Sequence, residues 1–233
     1  MRVSLFAVLL GLAAVFPAFA QEGDATEFKE GVHYFKLDDA PARSDGPVVV
    51  TEIFSYRCVH CNSFEPYVER WMERKPEYVE FRRVPVVFGR RDWELSARGY
   101  LAAEAMGIVE QSHAPMMDAI WKERKAFRSL EELGEFYSQF GVSAEAFVAT
   151  AQSFAVDANL RRSQREVQQW GISGTPSMVV DGRYRIVSSA AVPNFDTMLA
   201  VANHLAAMEQ AKRAPVEEAV TDDPEPLAEP AES

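Results

Sequence analysis

Cysteine is nearly absent from this chain, with 2 residues in 233. That scarcity excludes a scaffold stapled by several disulfides. It also excludes a zinc site built from two Cys or His pairs, because His33, His113 and His204 are scattered with no ligand spacing. Those three histidines read as solvated surface residues. Long apolar runs are missing after residue 20, so nothing beyond it has the ~20 apolar residues of a membrane helix. A basic stripe is missing too. With 24 Lys and Arg against 35 Asp and Glu, the net charge is −11, which argues against nucleic acid as a partner. There is no phosphate loop, no nucleophile elbow, no metal motif and no internal repeat.

What is present is the spacing of the two cysteines, Cys58 and Cys61, in Ser55-Tyr56-Arg57-Cys58-Val59-His60-Cys61. An apolar, β-branched run precedes them and a helical pattern follows. Cys-x-x-Cys at a strand–helix junction is a redox motif. The first thiol sits where unpaired helix N–H groups and the macrodipole favour a thiolate, the species that reacts in disulfide exchange. A structural disulfide closing so short a loop would stabilise little. A soft-metal site on Cys58, His60 and Cys61 would be incomplete.

Residues 1–20 read as a cleavable export signal: Arg2, an apolar stretch from Ser4 to Phe16, then Ala18-Phe19-Ala20, with the mature chain starting at Gln21. An exported dithiol would reside in an oxidising compartment, here the periplasm. The C-terminal segment, 213–233, reads as a disordered Pro/Ala/Glu tail. Its residues 214–233 hold seven acids and no base, so most of the net charge is there and 21–213 carry only −5.

The periodicity predicts a short edge strand at 33–37, a buried strand at 48–55, and a helix from Cys61 to Arg74 kinked at Pro66. A strand at 79–85 follows. Helical stripes then run to about residue 156, with Trp93, Ala97 and Leu101 on one, Met117, Ile120 and Trp121 on another, and Leu130, Leu133, Phe136, Tyr137 and Phe140 on a third. These read as core. A helix at 155–170, a hairpin of 176–180 and 183–187 turning at Asp181-Gly182, and a helix at 194–212 complete the chain. Neither half has a whole sheet, so the helical block is an insertion in one sheet domain. The fold class is α/β. The expected units are 28–88 with 157–212, and an inserted helical unit at 89–156.

The Cys-x-x-His-Cys junction, the helical insertion and Gly174-Thr175-Pro176-Ser177-Met178-Val179-Val180-Asp181-Gly182-Arg183-Tyr184 together resemble the DsbA family of periplasmic thiol:disulfide interchange proteins, over nearly all of 28–210. The resemblance implies a thioredoxin-like fold with an inserted α-helical domain. It implies a monomeric dithiol oxidase without a cofactor, which donates its disulfide to reduced, newly exported proteins and is reoxidised by a quinone-linked membrane partner of the DsbB type. Cys58 matches the exposed nucleophile, Cys61 the buried resolving thiol, and His60 the histidine that favours the thiolate. Glu52, an acid inside an apolar strand, matches a buried glutamate serving proton traffic to the resolving thiol. Arg83 on the next strand reads either as its partner or as a strand-edge salt bridge. Thr175 and Pro176 match the substrate-binding loop, whose proline is cis in the family. Val59 stands where well-known members carry Pro, which would preorganise the helix start. A reductase or isomerase on the same fold is the alternative activity. A non-catalytic binding module, such as a chaperone or copper carrier, would leave the dithiol dispensable.

Overall fold

The computed structural model describes residues 27–41 and 45–213. The expected signal segment 1–20 and the acidic tail from 214 onward lie outside the described residues.

Among the described residues, five strands form one mixed sheet in the order β1-β5-β4-β2-β3. Its centre is β2 (Val48–Phe54), whose continuous Val-Val-Val-Thr-Glu-Ile-Phe run suits a strand covered on both faces. It pairs in parallel with β3 (Val79–Pro85), in a register that sets Glu52 opposite Arg83. On its other side it pairs antiparallel with β4 (Ser177–Val180). The β4–β5 hairpin turns through Asp181, Gly182 and Arg183, the first two with positive φ (56° and 63°), a backbone region that Asp and Gly tolerate. β5 (Tyr184–Val187) then carries the two-residue edge strand β1 (Phe35–Lys36).

Side chains alternate across a strand, so Val48, Val50 and Glu52 share one face of β2. That face carries α1 (Val59–Met72) and the C-terminal helix α7 (Phe195–Ala211), with Phe64, Val68, Met198, Val201 and Leu205 in the core between. The other face meets the helices that lie between β3 and β4 in sequence. These are α2 (Arg91–Ala105), α3 (Val109–Trp121), α4 (Leu130–Tyr137), α5 (Ala144–Ala151) and α6 (Phe154–Gln169). Their Met and aromatic stripes fill a second core around Tyr137, Phe147, Met116 and Leu133. Ser129, Ser143 and Ser153 cap α4, α5 and α6 by accepting a backbone N–H three residues on.

One helix differs from the periodicity reading. α1 begins at Val59, two residues earlier than expected, so Cys61 lies inside its first turn, and it runs unbroken through Pro66. α3 likewise contains Pro115. A helix-period apolar face buried against the core outweighs the one backbone bond each proline removes. Among the described residues, no helix is long and apolar enough to cross a membrane.

Candidate active site

The dithiol sits where β2 ends and α1 begins. Cys58 occupies the N-cap position of α1, with extended backbone (φ −98°, ψ 117°). Ser, Thr, Asn or Asp usually fills that position, because an oxygen there accepts the free N–H groups of the first turn. Here a sulfur faces them. Both cysteines are free thiols. The Cys58 thiol is lowered to about 5, first by a hydrogen bond from Cys61, against the cost of burial, and then by Thr175 and the backbone N–H groups of Cys61 and His60. Cys61 moves far the other way, pushed up by burial first, then by its bond to Cys58 and the charge of Glu52. The pair is therefore asymmetric, with Cys58 the thiolate at neutral pH and Cys61 the proton carrier.

Accessibility follows the same asymmetry. Cys61 is fully buried and Cys58 is 8% exposed. The expected exposed nucleophile is thus mostly covered, because the loop before β4 lies against it. Cys58 Sγ is 3.4 Å from the backbone oxygen of Thr175. That oxygen accepts from the protonated thiol, while the Thr175 hydroxyl is the partner that lowers it. The Thr175–Pro176 peptide bond is cis.

The turn before the nucleophile is tied to the helical insert. Trp121 Nε1 donates to the Tyr56 backbone oxygen at 2.9 Å, and Arg57 Nη2 donates to the Phe127 oxygen at 2.7 Å.

Glu52 lies behind the dithiol with no exposure. Its Oε2 accepts from Arg83 Nε at 2.9 Å, while Oε1 is buried without a partner among the described residues. Burial raises its carboxyl to about 7, against the opposing charge of Arg83 and with that of Glu65 adding to the rise. The Arg83 side chain is itself only 8% exposed, so the pair is buried although β3 is the edge strand of the sheet. His60 is exposed; what it gives Cys58 is its backbone N–H.

Of the site residues, Glu65 went unread in the sequence and His113 was misread. Glu65 accepts from Arg83 Nη2 at 2.8 Å, and its other oxygen lies 3.1 Å from His113 Nε2. His113, expected on the surface, is buried, with Nδ1 2.9 Å from the Tyr56 hydroxyl. The signals were there: Glu65 is four residues after Cys61 on the buried face of α1, and His113 shares helical spacing with Met116, Met117 and Ile120. By contrast, His204 is exposed and His33 half-buried.

Residues 49–200 match the family described as the DSBA-like thioredoxin domain. The chain belongs to that family. The thiol:disulfide interchange protein DsbA of Pseudomonas aeruginosa is 34% identical over 213 residues, which covers 91% of this chain and 98% of that one. The protein of the same name from Azotobacter vinelandii is 35% identical over 209 residues, covering 89% and 92%. Among solved structures, Pseudomonas aeruginosa DsbA superposes with a TM-score of 0.72 at 32% identity, covering 79% of this chain and 96% of that one. The oxidoreductase DsbA from Xylella fastidiosa gives 0.71 at 32% identity, covering 77% and 96%. As a DSBA-like thioredoxin protein with its Cys58–Cys61 pair in place, the chain is a thiol:disulfide oxidoreductase that introduces disulfide bonds. The expected fold class, thioredoxin-like α/β with inserted helices, is the observed one.

Proposed function

We propose that this protein works in the periplasm as a dithiol oxidase for newly exported proteins, and that a DsbB-like quinone-linked membrane protein reoxidises it. The observation that carries this reading is the asymmetry of the pair. A stabilised Cys58 thiolate favours the reduced enzyme and so makes the disulfide a strong oxidant.

A substrate thiolate attacks Cys58 Sγ of the enzyme disulfide. The Cys58–Cys61 bond breaks, and Cys61 leaves with the electron pair and takes up a proton. Glu52 is the buried acid placed to supply it. The substrate's second thiolate then attacks the substrate sulfur of the mixed disulfide. Cys58 departs as a thiolate held by the α1 N–H groups and Thr175. Two electrons have passed to the enzyme and one disulfide to the substrate. The edge at Thr175 and Pro176 would hold the substrate as an added extended strand. Reoxidation returns the two electrons to the membrane partner.

The expected division into a thioredoxin-like unit of 28–88 and 157–212 and a helical unit of 89–156 is part of this reading, with the insert steadying the turn before Cys58.

The test uses a reduced, unfolded two-cysteine protein as substrate. Wild-type enzyme should oxidise it and Cys58→Ser should not. Cys61→Ser has no disulfide to donate and should not oxidise it either, but offered a substrate disulfide its Cys58 thiolate should attack, release one substrate thiolate and remain as a mixed disulfide. Full activity in Cys58→Ser would overturn the proposal, and faster reduction than oxidation of the substrate would favour a reductase.

A further inference from the structure

A buried chain of hydrogen bonds leads away from Glu52, and the functions above use only its first link. Arg83 bridges two carboxylates, Glu52 at 2.9 Å and Glu65 at 2.8 Å. Glu65 meets His113 Nε2 at 3.1 Å, and His113 Nδ1 meets the Tyr56 hydroxyl at 2.9 Å. An ionised carboxylate only accepts, so Nε2 carries the hydrogen and the Tyr56 O–H donates to Nδ1. The neutral imidazole is then satisfied at both nitrogens, in keeping with its lowered proton affinity, which burial causes first and Arg83 second.

The two acids sharing Arg83 are unequal. Glu65 has a second donor in His113, whereas Glu52 Oε1 has none among the described residues. When two carboxylates share one guanidinium in a dry site, the charge settles on the better-donated one and the proton on the other. Burial acts to raise Glu65, but the His113 bond and Arg83 bring it below the ordinary carboxylate value, while Glu52 is raised. The two ends of the chain also differ in access. Arg83, Glu65 and His113 line a cleft of about 360 Å³, whereas Glu52 has no exposure.

We propose that His113 is a positioning residue for the redox centre: by donating to Glu65 it holds the negative charge there and so keeps a proton on Glu52 for Cys61. This rests on Glu52 being the proton donor to Cys61. The groups facing His113 are Glu65 from α1, Tyr56 from the turn before it, Tyr100 from α2, Arg83 from β3, and Glu110 on its own helix. Of these, Glu65 is the one through which His113 acts on Glu52.

The test is a carboxyl-carbon NMR titration of the reduced full-length protein, with the Glu52 signal assigned by its loss in Glu52→Gln. His113→Phe should move the Glu52 midpoint down by about half a pH unit or more. His113→Gln, whose amide can donate to Glu65, should restore it. Glu65→Gln should shift it in the same direction, and the double variant with His113→Phe should add nothing. An unmoved Glu52 midpoint in folded His113→Phe overturns the inference. Should that variant not fold, an unmoved midpoint in Glu65→Gln overturns it equally. The underlying reading fails separately, if Glu52→Gln leaves the pH dependence of the thiol–disulfide equilibrium unchanged.

Discussion

Cys58 Sγ lies 3.4 Å from the backbone oxygen of Thr175, a residue 117 positions along the chain. The contact joins the N-cap of α1 to the loop that enters β4, so the nucleophile and the edge expected to bind substrate form one surface. Thr175→Val keeps the shape of the side chain and removes its hydroxyl. The Cys58 thiolate then loses one of the donors that lower it. Its titration, followed by thiolate ultraviolet absorbance, should move up by roughly half a pH unit to one unit. An unchanged titration would remove the Thr175 hydroxyl from the account.

The pH dependence of stability has a definite sign. Cys58 is lowered to about 5 in the folded reduced protein. A depressed acid contributes stability that is present above its unfolded value, roughly 8.5, and is lost as pH falls through the folded one. The melting temperature of the reduced form relative to the oxidised form should therefore fall as pH drops from about 9 to about 5. Cys58→Ser, which has no disulfide form, should melt with the pH dependence of the oxidised protein. Parallel melting curves of the two forms over this range would contradict it.

Among the described residues, Arg83 is the only donor to Glu52 and one of two to Glu65. Arg83→Met leaves two buried acids without their cation, and breaking a buried pair on one side costs about 3–5 kcal/mol. Because Glu52 is raised to about 7, it is mostly neutral in acid. Urea unfolding should show a large loss at pH 8 and a smaller one at pH 5.5, the pH values being chosen on either side of that midpoint.

Val59 is 50% exposed at the first position of α1, so replacing it loses little packing. Proline suits that position, since its fixed φ is helical and the N–H it lacks is unpaired there anyway. Val59→Pro should stabilise the protein by about 0.5 kcal/mol. It should scarcely move the Cys58 titration, because the backbone donors to the sulfur are His60 and Cys61. A large shift would mean that the Cys-Val-His-Cys departure sets the redox behaviour after all.

These variants also mark what could be read in advance. The Cys58–Cys61 junction was legible because strand, cap position and helix are contiguous in sequence. The Asp181-Gly182 turn was legible for the same local reason. Glu52 stood out as an acid within an apolar run, and Arg83 was only half readable, since its partner depends on the β2–β3 register. His113 was misread. Its partners Glu65 and Tyr56 are 48 and 57 residues away, and a polar helix residue looks solvated until the helix is docked. The coverage of Cys58 by Thr175 is likewise a property of the assembled sheet.

The most direct test of the account is the equilibrium of the Cys58–Cys61 pair against a glutathione redox buffer at neutral pH. The stabilised Cys58 thiolate predicts a potential well above the roughly −270 mV of thioredoxin, so that the disulfide form oxidises substrate thiols. A potential near −270 mV would make the disulfide the stable form and contradict a disulfide donor.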